Sequence, residues 1–138
     1  MLDPPQPDKD NVPMAGLLIK NGGQTPAYNV ISWAKVAVIL RNEENTALPV
    51  PPLQNQFANT LGYGASFSKG IWLDRKLGQD EIADIRTGAR AIYVYGRIEY
   101  KDAFKKRHVT HFRLHYWGQY PPPQNAILSF CESGNDAD

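Results

Sequence analysis

The chain has 138 residues, 42% apolar and 21% charged, a length that suits one domain burying roughly 65 to 70% of its unfolded surface. That composition excludes intrinsic disorder, and no apolar run reaches the ~18 residues of a membrane-spanning helix. Fifteen Lys and Arg against 14 Asp and Glu leave a net charge of +1, which confines any nucleic-acid or anionic-lipid partner to a local patch.

Residues 1–13 carry no apolar signal-peptide core, and their Pro, Asp and Lys content predicts a flexible arm. Any export signal or membrane tether is expected in a parent protein. Met14 to Lys20 predicts a short strand, closed by Asn21-Gly22-Gly23 and Pro26, a cluster suited to the positive φ angles of a tight turn. From Tyr28 to Arg41, dense β-branched residues predict a long central strand. Val30, Ala34, Val36, Val38 and Leu40 share one face; Ile31, Trp33, Ala37 and Ile39 share the other.

From Asn42 to Gly64 no period survives, and Pro49, Pro51 and Pro52 deny ladder donors to any central strand. Either Leu53 to Phe57 forms an edge strand or this long loop is functional. Gly64 to Leu73 predicts another strand. Gly78 to Thr87 then reads as one or two helical turns, with Asp80 and Glu81 at the positive end, Ile82 and Ile85 on one face and Gly88 as the stop. This helix is expected to bridge two strands rather than form a layer.

Arg90 to Lys101 and Arg107 to Trp117 predict a hairpin turning through residues 102–106. Ile92, Val94, Ile98 and Tyr100 share a side with Phe112, Leu114 and Tyr116, leaving Tyr93, Tyr95, Arg97 and Glu99 opposite. Pro121 to Pro123 end the sheet, Ala126 to Cys131 offers a last edge strand, and the acidic tail 132–138 is expected to be mobile. The whole predicts an all-β fold, an immunoglobulin-like antiparallel β-sandwich over residues 14–131 with one short connecting helix. Trp33 would sit in its core and Tyr93 is a candidate tyrosine corner. Cys131, the single cysteine, supplies no internal disulfide.

Four segments carry a resemblance: residues 21–30 (Asn-Gly-Gly-Gln-Thr-Pro-Ala-Tyr-Asn-Val), Asp80-Glu81-Ile82, residues 93–104 from Tyr93 through Tyr100-Lys101-Asp102-Ala103-Phe104, and residues 131–138 from Cys131 to Asp138. In these the chain resembles an uncharacterised bacterial family of membrane-anchored proteins with a C-terminal immunoglobulin-like domain. Adhesion-like and accessory β-sandwich modules share the Asn-x-Gly-x-x-x-Ala turn. The resemblance implies a domain following a transmembrane helix and a charged linker, and it implies no activity. No segment of this sequence is expected to supply that anchor. Asn21, Gly22 and Pro26 are in any case what a strand-to-strand crossing requires.

Chemistry-bearing residues are sparse. His108, His111 and His115 cluster in sequence, but on a strand His108 faces away from the others, and His111 and His115 lie about 13 Å apart at ~3.3 Å per residue. Ligands of one ion at ~2.0 to 2.1 Å cannot be so separated, so no metal is expected. No Gly-x-Ser-x-Gly elbow accompanies Ser32, Ser66 or Ser68. Cys131 lacks the cationic neighbours that activate a thiol, and Gly62-Tyr63-Gly64 lacks the Lys-Ser or Lys-Thr of a phosphate loop. Neither catalytic residues nor a cofactor are expected.

Two surfaces remain. Lys105, Lys106 and Arg107 crown a basic hairpin, a composition that suits phosphate groups but equally keeps an exposed turn soluble and unpaired. Tyr93 and Tyr95, with Trp117 and Tyr120, are candidates for an aromatic platform. The sequence therefore favours a non-catalytic interaction module with a protein partner. Its alternatives are an electrostatic binder of nucleic acid or anionic lipid through residues 97–113, and a small-ligand or hydrolytic site between the sheets.

Overall fold

The computed structural model describes residues 12–46, 48–50, 59–123, 126–131 and 134–137. In chain order these form β1 (Met14–Lys20), β2 (Ala27–Leu40), a 3-10 turn (Arg41–Glu43), β3 (Asn59–Leu61), β4 (Ser66–Trp72), α1 (Gln79–Thr87), β5 (Arg90–Lys101), β6 (Arg107–Tyr116), β7 (Ser129–Phe130) and β8 (Asp136–Ala137). The fold is all-β and antiparallel. One sheet is the pair β1-β4; the other runs β3-β2-β5-β6-β7, with β8 also paired to β6.

Alternation decides which way each strand faces. On the inner side Val36 and Val38 of β2, Ile92 and Val94 of β5 and Ile71 of β4 are buried with Leu73, Leu77, Ile85 and Tyr120. The hairpin register is the one the alternation implies, Val94 opposite Leu114 and Ile92 opposite Tyr116. Gly96 lies between Ala34 and Phe112, where a Cβ would meet the Trp33 carbonyl oxygen at 2.2 Å. Only glycine permits that approach.

The helix differs from expectation in its role. Gly78 begins it, its amide bonded to the Glu81 carboxylate at 3.0 Å, and Gly88, at φ 89, ends it. Ile85 is wholly buried within the same core as both sheets. The helix packs rather than merely bridges, because its apolar side has nowhere else to be buried.

The Asn21 turn also works differently from its expected glycine geometry, since neither Gly22 nor Gly23 adopts positive φ. The Asn21 side chain holds it instead, donating to the carbonyls of Thr25 (2.9 Å), Leu61 (2.9 Å) and Gly62 (3.2 Å) and accepting from the Gly23 amide (3.0 Å). This carries the chain from the smaller sheet to the larger. Just beyond, Asn29 at φ 52 marks a bulge between Tyr28 and Ile31.

Four further expectations need correction or placement. Trp33 is only half-buried, on the side of β2 away from the main core, with its ring edge-on to Tyr95 at 5.8 Å. Residues 136–137 of the tail, expected to be mobile, pair with β6 as β8. Residues 1–11 of the arm expected at 1–13, and the edge strand expected at 53–57, lie outside the described residues.

Candidate functional site

The side of β5 and β6 facing away from α1 presents the odd-numbered residues, with Tyr93 opposite His115 and Tyr95 opposite Arg113. This side is covered by the segment that follows β2. The Tyr93 hydroxyl donates to Glu44 Oε1 at 3.3 Å, the Tyr95 hydroxyl donates to the Pro49 carbonyl at 2.7 Å, and Arg113 Nη1 donates to the Glu44 carbonyl. Tyr93 is 0% and Tyr95 6% exposed. They cannot form the partner surface expected of them, because both are buried and their hydroxyls are bonded to Glu44 and Pro49. Nor is Tyr93 a tyrosine corner, since its hydroxyl binds a distant carboxylate rather than nearby backbone.

Under that cover three donor side chains converge. Glu44 comes from the turn after Glu43, His115 from β6 and Cys131 from the end of β7. His115 Nδ1 lies 2.9 Å from Glu44 Oε1 and 3.2 Å from Cys131 Sγ, and all three donor atoms fall within 4.8 Å of one another. Cys131 reaches His115 as a diagonal cross-strand neighbour, because Ser129 is the residue opposite His115. The Cys131 amide also donates to the Arg113 carbonyl at 3.0 Å.

Burial first, and Glu44 second, push the Cys131 thiol up to about 12. The same order of causes raises Tyr93 to about 12. This arrangement does not suit nucleophilic catalysis. A thiol-imidazole-carboxylate relay places thiol and carboxylate on opposite ring nitrogens, whereas here both face Nδ1, and the thiol is made less acidic rather than more. Imidazole, thiol and carboxylate aimed at one point are instead the donor set of a metal centre.

The other predicted residues lie far from this cluster. Lys105 and Lys106 are exposed in the β5–β6 turn, about 27 Å or more along the strand from Tyr93 at ~3.4 Å per residue. Asp102 organises that turn, its Oδ1 accepting from the amides of Phe104 and Lys106 at 2.9 Å each. These bonds and His108, 2.8 Å from Asp102 Oδ2, hold the Asp102 carboxyl below its ordinary range, the His108 bond counting most. Arg107 is ion-paired with Glu99 at 2.5 Å. The Tyr100-x-Asp102-x-Phe104 motif therefore has a structural role, as does Asn135, whose carboxamide binds both backbone groups of Arg113 (2.8 and 3.0 Å).

The three histidines are separated as expected. His108 stacks on Tyr100 at 5.0 Å, His111 Nδ1 meets Asp136 Oδ1 at 2.8 Å, and only His115 joins the cluster. No sequence pattern pointed to it, because Glu44 and His115 are 71 residues apart.

On the opposite side of the hairpin runs an apolar groove of about 660 Å³. Its floor is Ile92, Val94, Leu114 and Tyr116, and its far wall is Tyr120 to Pro123 with Ala126 to Leu128. Every residue from Val12 to Leu18 lines the near side. Consecutive residues of a strand face opposite ways, so the groove follows the edge of β1, the edge that β4 does not occupy. Met14, Leu18 and Ile127 are 57%, 69% and 84% exposed at its rim.

Comparison with protein-family profiles, curated proteins and solved structures gives no significant match, to an enzyme family or to any other.

Proposed function

We propose that the chain is a non-catalytic, immunoglobulin-like β-sandwich module that takes up an extended apolar segment of a partner protein along the free edge of β1. It serves as the soluble part of a membrane-anchored bacterial protein. Two antiparallel sheets sharing one core support the sandwich, and the resemblance over residues 21–30, 93–104 and 131–138 supports the anchored parent.

The groove is the observation that carries the binding reading. A strand edge offers a row of backbone donors and acceptors, and an extended segment that adds to it gains ladder hydrogen bonds while its alternate side chains enter apolar pockets. Both parts are present. The edge of β1 supplies the ladder, and Ile92, Val94, Leu114 and Tyr116 supply the floor. Pro121, Pro122 and Pro123 have no amide hydrogens, so the opposite wall contributes apolar contact and leaves the strand register to β1. A basic patch is the weaker alternative, as Arg107 is already paired with Glu99.

The test is binding of labelled eight-residue peptides alternating Val with Thr or Val with Lys, followed by fluorescence anisotropy. Saturable binding at about 1 to 100 μM, equivalent to roughly 5 to 8 kcal/mol, is expected and should survive 0.5 M salt. Leu18→Asp and Ile127→Asp, both at exposed rim positions, should abolish it without lowering the melting temperature. If the peptides bind only at low salt and are lost with Lys105→Ala/Lys106→Ala, the electrostatic reading replaces this one. If no peptide binds, the edge-addition reading fails.

A further inference from the structure

We propose that Glu44, His115 and Cys131 hold one divalent transition-metal ion of the zinc class. The site lies on the face of the β5–β6 hairpin opposite the groove and is independent of peptide binding there. Its donors are one imidazole nitrogen, one thiolate sulfur and one carboxylate oxygen, the combination that late first-row ions such as zinc and cobalt prefer.

The geometry is close to what coordination requires. With Zn–N of ~2.0 Å and Zn–S of ~2.3 Å, tetrahedral donors stand roughly 3.3 to 3.5 Å apart. The observed separations are 2.9 Å from Glu44 Oε1 to His115 Nδ1 and 3.2 Å from His115 Nδ1 to Cys131 Sγ. A few tenths of an ångström outward would seat the ion. Glu44 lies on a turn rather than in a ladder, so it has the freedom to make that adjustment.

Charge favours the same assignment. Binding forms the metal–sulfur bond and releases the Cys131 thiol proton to solvent, while His115 coordinates through neutral Nδ1. Thiolate and carboxylate then balance the two positive charges, leaving a neutral centre suited to a nearly closed pocket. Cys131 is 5% exposed, whereas the side chains of His115 and Glu44 are 21% and 23% exposed. That partial opening leaves room for a solvent ligand on one side.

Surrounding groups already orient the donors as outer partners of a metal do. The Tyr93 hydroxyl donates to Glu44 Oε1, and the Tyr93 ring stands edge-on to His115 at 5.9 Å. Arg113 Nη1 holds the Glu44 carbonyl. The alternative is a hydrogen-bonded triangle that needs no ion, and metal titration separates the two.

The chelator-treated 138-residue chain is titrated with cobalt(II) at pH 8 and followed by absorption. One equivalent is expected to bind, with the intense near-ultraviolet band of a cobalt–thiolate bond and the visible bands of a tetrahedral ion, all removed by added zinc. Cys131→Ser should abolish the thiolate band, His115→Gln should weaken binding at least tenfold, and His108→Ala/His111→Ala should change neither. Zinc should raise the melting temperature of the wild type but not of Glu44→Gln, whose near-isosteric side chain preserves the fold. Wild-type protein without a thiolate band at excess cobalt, or a band persisting in Cys131→Ser, would overturn the proposal. Loss of the cobalt signal in His108→Ala/His111→Ala would do the same. Leu18→Asp should leave the cobalt titration unchanged, so failure here and failure of the groove reading remain distinguishable.

Discussion

Val94 and Tyr93 are neighbours in sequence and both are wholly buried, yet they are buried in different ways. Val94 enters an aliphatic core that joins two sheets and a helix. Tyr93 lies beneath a connecting segment, and its hydroxyl is bonded to Glu44, 49 residues away in sequence. The contrast shows that alternation assigns residues to faces without saying what will cover each face. On the inner side the cover is regular secondary structure with its own apolar period. On the outer side it includes Glu44 and Pro49, from a segment that has none.

Removing volume from the inner side should have the largest effect. Ile85→Ala should cost about 2 to 5 kcal/mol in urea unfolding, the usual range for a buried aliphatic truncated to alanine. A loss under 1 kcal/mol would mean that α1 is not part of the core. Adding volume comes next: Gly96→Ala would place a Cβ 2.2 Å from the Trp33 carbonyl oxygen and 2.6 Å from Phe112 Cζ. It should cost about 1 to 3 kcal/mol through forced displacement of the β2–β5–β6 ladder, visible as a lower urea midpoint.

On the outer side, Tyr93→Phe keeps the ring and removes only the bond to Glu44, so a loss of about 1 kcal/mol is expected. Alkali sharpens the comparison further, because burial first raises both Tyr93 and Cys131 to about 12, from 10.0 and 9.0. Above pH 9 the unfolded chain releases protons that the folded chain retains. This contribution is therefore complete below pH 9 and declines as pH rises toward 12. Urea midpoints across that window should fall less in Tyr93→Phe and in metal-free Cys131→Ser than in the wild type. An unchanged slope in both would show that the outer face opens to solvent.

The strands that alternate over seven or more residues were legible in the sequence, as was the hairpin register. Gly78, Glu81 and Gly88 fixed the helix ends because each has a local role. Short strands β3 and β8 offer too few residues for a period to emerge, whereas β7 falls within the edge strand expected at residues 126–131; β8 is held by Asn135 and Asp136 bonding Arg113 and His111. The Glu44 cluster was illegible for another reason. Strand spacing correctly separated His111 from His115, but no local rule brings a glutamate from an aperiodic loop and a lone cysteine to the same imidazole. Tyr93 and Tyr95 were misplaced for the same reason, since their cover is supplied by that loop.

Among the described residues the smaller sheet forms no ladder with the larger one. Besides packing, what joins them includes the Asn21 side chain at one end and a bond from Lys69 Nζ to the Ser32 carbonyl (3.3 Å). Sliding β1 and β4 together over β2 and β5 breaks no strand pairing, and such shear is a low-cost motion for packed layers. Because β1 is one bank of the groove and Pro121 to Pro123 are on the other, that sliding alters its width. Such a shift would make the groove an adjustable aperture, with the Asn21 turn as its fulcrum.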